Sequence, residues 1–381
     1  MPALRAWLGT TDAQLTGLTL LMKALLFAWG LVIYALVQGQ AIDIGQVFSI
    51  WNRWDAPHYL DVALFGYTAY DPGNLPMYSK LGDLDLFIVF YPLFPWATRA
   101  GMAVLPELVA PIAVSAVASV AAVLLLFRLV AREFGERIGK RAAVFMLIFP
   151  TAYFLHIGYT ESLFLALVLG SFLAARTDRW WLAGLLGGLA ALTRVNGLIL
   201  IPALAAEAWL AWSVTRQWRW QWAWIGLVAV GFGGYLAVNY AVYGNPFEFL
   251  RIQSEHWYKS VAWPWEGIGG VLGWLGSDNP EDAVMYGITE LVAIGLGLAG
   301  TVVAAVRYRP GWFTWMAGNW LLFVSTAFVL SVPRYTLTMF PLFASLAQLA
   351  ERRWVGIVLG AVSVVLLLWF SARFATGAWA F

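Results

Sequence analysis

From Leu15 to Val37 the chain is apolar save for one charged residue, Lys23. A helix needs about 20 such residues to cross a bilayer, and comparable stretches recur to the end of the sequence. They lie at about 15–37, 108–130, 142–157, 161–176, 180–194, 197–214, 223–243, 284–306, 311–331, 335–350 and 354–373. The expected architecture is an all-α, polytopic membrane protein with about eleven spans in a single domain over 1–381. Composition agrees: 61% hydrophobic, 12% charged, mean hydropathy +0.74, against roughly 25% charged in soluble domains. The 23 Trp include clusters (Trp180-Trp181; Trp218, Trp220, Trp222, Trp224) of the kind that mark membrane interfaces. The first stretch exceeds the ~7–15-residue core of a signal peptide and no cleavage site follows it, so it reads as a retained span. With no cysteine, disulfides, thiolate metal ligands and thiol nucleophiles are excluded.

Charge decides the topology. Leu86–Leu105 is apolar enough to cross, but Pro92 and Pro95 lack the N–H a straight helix needs. If it crossed, Arg128, Arg132, Arg137, Lys140 and Arg141 would fall outside, against the positive-inside rule. Placed in the outer interface, with an inside N-terminus, it leaves 14 basic residues inside and 8 outside. The outer face then carries two longer segments, 38–107 and 244–283, most of the acids, and His58, His156 and His256. The expected setting is a bacterial cytoplasmic membrane with the site facing outward. Lipids are expected partners and nucleic acid is not.

Five clusters lie on that outer face. They are Arg53-Trp54-Asp55-Ala56-Pro57-His58-Tyr59 with Gly66-Tyr67, Phe90-Tyr91-Pro92-Leu93-Phe94-Pro95, Tyr159-Thr160-Glu161-Ser162, Thr193-Arg194-Val195-Asn196-Gly197, and Pro333-Arg334-Tyr335. Each has a structural explanation. Trp, Tyr and Arg anchor helices at the interface, and Glu161 suits a helix N-terminus. His156 reads as a packed core histidine and His256 as a solvated loop residue. Taken together they say more. Two acids and two arginines at four outer turns suit group transfer from a phosphate-linked donor, because a carboxylate can take the acceptor proton and arginines can hold the departing phosphate. Asp55, flanked by Trp54 and set before Pro57 and His58, is the strongest base candidate; Asp43, Asp61 and Asp71 lack the aromatic surround. No ligand spacing such as HExxH is present, so no cofactor is expected and a divalent metal is not favoured.

The ordered motifs resemble the GPI mannosyltransferase 2 family (the phosphatidylinositol glycan class V family and its bacterial relatives), within the GT-C glycosyltransferases. The resemblance spans about 51–341. It implies a GT-C fold whose first outer loop contains interfacial helices and the catalytic acid. It implies transfer of a hexose, mannose in the family, from a polyprenyl-phosphate donor such as dolichyl-phosphate mannose to a lipid or glycan acceptor, with inversion. Carried over, Asp55 is the general base and Glu161 a second acid, while Arg194 and Arg334 lie near the donor phosphate. His58 is expected to orient Asp55 or bind sugar hydroxyls, and Trp54 and Tyr59 to stack on the sugar. Arg53, Tyr91, Asn196 and Tyr335 complete the expected substrate-binding set. The rival readings are a transporter or lipid-binding protein without chemistry, and a GT-C enzyme for another sugar or a protein acceptor.

Overall fold

The computed structural model describes residues 10–67 and 84–381; Arg5, Asp71 and Lys80 lie outside them. Sixteen helices follow in order among the described residues. They are α1 (Thr11–Gln38), α2 (Asp55–Phe65), α3 (Leu93–Met102), α4 (Val109–Phe134), α5 (Glu136–Leu147), α6 (Glu161–Arg176), α7 (Trp180–Ala191), α8 (Leu200–Thr215), α9 (Gly226–Tyr243), α10 (Glu248–Trp257), α11 (Pro264–Gly273), α12 (Pro280–Arg307), α13 (Pro310–Val324), α14 (Val332–Thr336), α15 (Pro341–Leu349) and α16 (Arg353–Thr376). The α1 boundaries follow from sequence. Thr10 accepts from the N–H of Ala13, Asp12 sits in the first turn, and Gly39 closes the helix at φ 63°, a conformation that glycine adopts at no steric cost.

Among the described residues, six helices are long and apolar enough to cross a membrane: Thr11–Gln38, Val109–Phe134, Val195–Thr215, Trp220–Tyr243, Pro280–Arg307 and Arg353–Thr376. The other expected spans are helical but shorter. Where 142–157 was expected to cross, α5 stops at Leu147 and a short 3₁₀ turn follows at Ala152–Leu155, because Pro150 disfavours helical backbone in the residue before it. The expected 335–350 span is split into α14 and α15 at Pro341.

Helix α4 is the hub, packing against α1, α3, α5 and α6. Helix α6 continues the contact to α7, and α7 to α9. The α7–α9 crossing is backbone to backbone: a Cβ on Gly231 would sit 2.0 Å from the carbonyl oxygen of Gly188. Small residues at such crossings allow close packing without a hydrophobic drive from water. The flank of α16 is different. Ile357, Val358, Val362 and Val365 are exposed, as lipid-facing residues should be.

At one end of the bundle lie the short elements. Helix α3 has 10 residues, about 15 Å of rise, too short to cross. It packs on α4, and the N–H of Leu93 is tied to the carbonyl of Leu192 at 3.1 Å. Leu86–Leu105, expected at the interface, thus forms no single helix long enough to cross. Helices α10 and α11 belong to the second polar segment. Between them, an isolated bridge pairs Val261 with Thr326.

Candidate active site

The site is built at the start of α2. Trp54 holds φ 57°, ψ −112°, a costly conformation for a residue with a side chain, of a kind that clusters at functional sites. Tyr159 clamps the turn. Its hydroxyl donates to the Arg53 carbonyl at 2.8 Å and accepts from the Asp55 N–H at 3.2 Å. Asp55 is thereby fixed as the first residue of a helix, where the macrodipole favours negative charge.

Three other turns converge on it. Arg334 Nη1 donates to Asp55 Oδ2 at 2.5 Å, and its Nε donates to Glu161 Oε1. Arg194 Nη1 donates to the same Glu161 oxygen at 2.5 Å and to Thr160 Oγ1 at 2.8 Å. The guanidinium of Arg334 lies over the rings of Tyr159 and Phe154, 4.6 and 4.9 Å from their centroids. The chain Asp55–Arg334–Glu161–Arg194 thus joins four segments far apart in sequence. Burial grades along it: the Glu161 side chain is 0% exposed, Arg334 5%, Arg194 15% and Asp55 32%. Glu161 is therefore the buried anchor and Asp55 the member that a substrate can meet.

Electrostatics follow from this placement. Burial pushes the Asp55 carboxyl up, but the Arg334 guanidinium outweighs it and holds the group below its usual value. Asp55 is thus ionised at neutral pH, as a base must be. Burial holds the His58 imidazole below its ordinary value despite the opposing pull of Asp55. His58 Nδ1 has no hydrogen-bond partner, and the ring packs on Phe87 and Phe90. Its influence on Asp55 is through space. Of the weaker base candidates, Asp43 caps the following turn through the N–H of Gly45. Asp61 is buried, with one oxygen unpartnered, and its carboxyl is pushed up to about 7 by burial.

The remaining expected residues divide. Trp54 is 40% exposed and meets Trp379 edge-on at 5.0 Å, so it keeps a face for a ligand. Tyr59 is buried among Phe90, Phe94 and Tyr159 and offers no stacking surface. Arg53 enters the site through its carbonyl, while its guanidinium Nε donates to Ile50 O. Tyr91 is buried and stacked on Tyr235 at 3.9 Å. Asn196 donates to Asn319, tying the turn after Arg194 to α13. These last two support the site from behind. Tyr335 presents its ring to Arg194 at 5.4 Å. His156 is fully buried and His256 exposed.

Two residues escaped the sequence reading. Glu290, buried in α12, accepts from the N–H groups of Ser331 and Val332 at 2.7 and 2.8 Å, and so fixes the φ 71° turn at Ser331 that aims Arg334. An acid inside an apolar stretch is itself the signal, since such groups persist only with partners or a function. Lys259 donates to Tyr335 Oη at 3.0 Å. Nothing local marks it among the other charges of 244–283. Among the described residues, no group of three or more His, Asp or Glu comes together to hold a metal.

Residues 91–236 match the family described as dolichyl-phosphate-mannose-protein mannosyltransferase. Among curated proteins the chain is similar to GPI alpha-1,6-mannosyltransferase 2 of Mus musculus, 32% identical over 160 residues, which are 39% of this chain and 29% of the mouse protein. The chain therefore matches less than a third of that relative's length. Among solved structures it is similar to ArnT from Cupriavidus metallidurans bound to undecaprenyl phosphate, with TM-score 0.49 and 15% identity over 93% of this chain and 76% of that one. It is also similar to the archaeal oligosaccharyltransferase AglB from Archaeoglobus fulgidus in complex with an inhibitory peptide and a dolichol-phosphate, with TM-score 0.46 and 13% identity over 94% and 55%.

Proposed function

We propose that this protein is an integral-membrane glycosyltransferase of GT-C type. It moves a hexose, mannose, from a polyprenyl-phosphate donor to a hydroxyl of a lipid or glycan acceptor on the outer face. The observation that carries the reading is the part-exposed, ionised Asp55, held by an arginine that shares a buried acid with a second arginine. The matched mannosyltransferase family and the mouse relative support the sugar. A groove of about 470 Å³ between α3, α4 and α6, lined by apolar and small residues such as Gly101, Leu105, Ala110, Val117 and Leu163, is suited to an isoprenoid chain.

The chemistry is a single displacement. The acceptor hydroxyl gives its proton to Asp55 as its oxygen attacks the anomeric carbon from the face opposite the phosphate. The bond from that carbon to the phosphate oxygen breaks, its electron pair goes to the phosphate, and the configuration inverts. Arg194 and Arg334 stabilise the leaving group, which needs no strong acid when cations meet its charge. Glu161 holds the two arginines at the spacing this requires.

The test is transfer in nanodiscs from radiolabelled polyprenyl-phosphate mannose to lipids extracted from cells that make the protein. The reading predicts label in a new, slower-migrating lipid. Label that instead crosses the bilayer of sealed proteoliposomes unchanged, with no product, would establish a transporter.

A further inference from the structure

We infer that Lys259 is the third cation of the site and holds an oxygen of the donor phosphate, taking up the charge that develops there on transfer. The inference rests on the donor class proposed above.

The placement of Lys259 is built by backbone. Helix α10 ends at Trp257, and Tyr258 turns the chain at φ 57°. The following strand-like segment is fastened beside α13: Ala327 N–H donates to Ser260 O at 2.9 Å and Ala262 N–H to Ser325 O at 3.1 Å. That brings Lys259 from the second polar segment to the Pro333-Arg334-Tyr335 turn. Its ammonium donates to Tyr335 Oη at 3.0 Å and to the carbonyl of Leu330 at 3.4 Å, and lies 5.1 Å from the centre of the Tyr335 ring. Arg194 lies against the same ring at 5.4 Å. Lys259 and Arg194 therefore both meet the Tyr335 ring, whose sequence neighbour is Arg334.

They are not equivalent. Arg194 is paired with Glu161, and Arg334 with both Glu161 and Asp55. Lys259 forms no ion pair among the described residues. The nearby Glu290 spends both oxygens on the N–H groups of Ser331 and Val332. An ammonium has three donors. Two of those on Lys259 go to neutral oxygens, which leaves one donor and a charge with no ion-pair partner among the described residues.

The charge change of the reaction fits this arrangement. Before transfer the donor phosphate is a diester with one negative charge. Transfer breaks the bond from the anomeric carbon to the phosphate oxygen, and the electron pair stays on that oxygen, giving a monoester with up to two negative charges. In the same step Asp55 receives the acceptor proton and loses its charge, so its hold on Arg334 Nη1 weakens. Lys259 binds the diester from the outset, and Arg334 Nη1 is released toward the phosphate when the second charge appears, while its Nε stays on Glu161.

The test titrates the protein in nanodiscs with undecaprenyl phosphate, and separately with undecaprenol, and reads bound lipid by native mass spectrometry. Lys259→Gln is expected to weaken undecaprenyl phosphate about tenfold and to leave undecaprenol unchanged. Lys259→Arg is expected to stay within about threefold of wild type, since charge-assisted bonds to phosphate tolerate either cation. A loss that affects undecaprenol equally, or that Arg fails to restore, would make Lys259 structural and overturn the inference. Unchanged phosphate affinity in Lys259→Gln would overturn it and leave the donor class standing. A wild-type protein that does not prefer the phosphate over the alcohol would remove the donor class, and this inference with it.

Discussion

At the residue scale the site depends on which groups are buried and which can meet a ligand. Asp55 is a carboxylate held ionised by Arg334. Its folded pKa is lowered, so its ion pair is intact above the ordinary carboxylate value of about 4 and is lost only as pH falls through the lowered value. Activity should therefore be flat from neutral pH down to about 4, with any acid limb below that. A pH–rate profile that bends near 6 or 7 would point to another base. Asp61, with its carboxyl at about 7, would be the first suspect. Glu290 has a different task. Glu290→Ala leaves the N–H groups of Ser331 and Val332 without their acceptors, at about 1–3 kcal/mol for each buried donor. A lowered Tm together with lost turnover is the expected result. Normal turnover at a lowered Tm would show that the turn does not aim Arg334.

At the element scale, how well the structure could be read from sequence differs between helices and turns. Hydropathy located the helices because lipid demands long apolar segments whose backbone bonds are satisfied internally. It overran their ends, since apolar character continues through the Pro150 and Pro341 breaks where helical backbone does not. The motif turns were legible because Asp55, Glu161, Arg194 and Arg334 are charged groups in an apolar sequence, and the structure brings all four together. Tyr59, Tyr91 and Asn196 lie in the same motifs but serve packing. Neighbourhood in sequence does not say which way a side chain faces. Lys259 was invisible because its role is set by pairing between 260–262 and 325–327, a contact with no local pattern. The α7–α9 crossing gives a test of helix placement. Gly231→Ala puts a methyl carbon about 2.0 Å from the Gly188 carbonyl oxygen, which must push α7 away at about 1–3 kcal/mol. Because Arg194 follows α7, donor binding should weaken along with stability. Unchanged donor affinity would show that the arginine's position does not depend on this crossing.

At the scale of the whole molecule the two ends of the bundle differ. Glu161 and Arg176 close opposite ends of the 16-residue helix α6, about 24 Å apart. The Glu161 end holds the part-exposed Asp55 and the cation cluster. The Arg176 end holds a closed set in which Arg176, Arg219 and Arg309 are each matched by an acid, Glu133, Asp178 or Glu207. The site end should face outward, as the positive-inside sorting of the loops requires. The absence of native cysteine makes this simple to measure. A membrane-impermeant maleimide on intact cells should label Tyr258→Cys and spare Trp218→Cys, both exposed positions. The reverse pattern would invert the topology.

The central claim is that Asp55 removes the acceptor proton, and single-turnover transfer measures it most directly. Wild type and Asp55→Asn, loaded to equal occupancy with labelled polyprenyl-phosphate mannose, would be mixed with acceptor lipid and followed in time. The account predicts a rate at least about 100-fold lower in Asp55→Asn, the usual worth of a general base, with donor occupancy unchanged. Transfer by Asp55→Asn within a few-fold of wild type would contradict it.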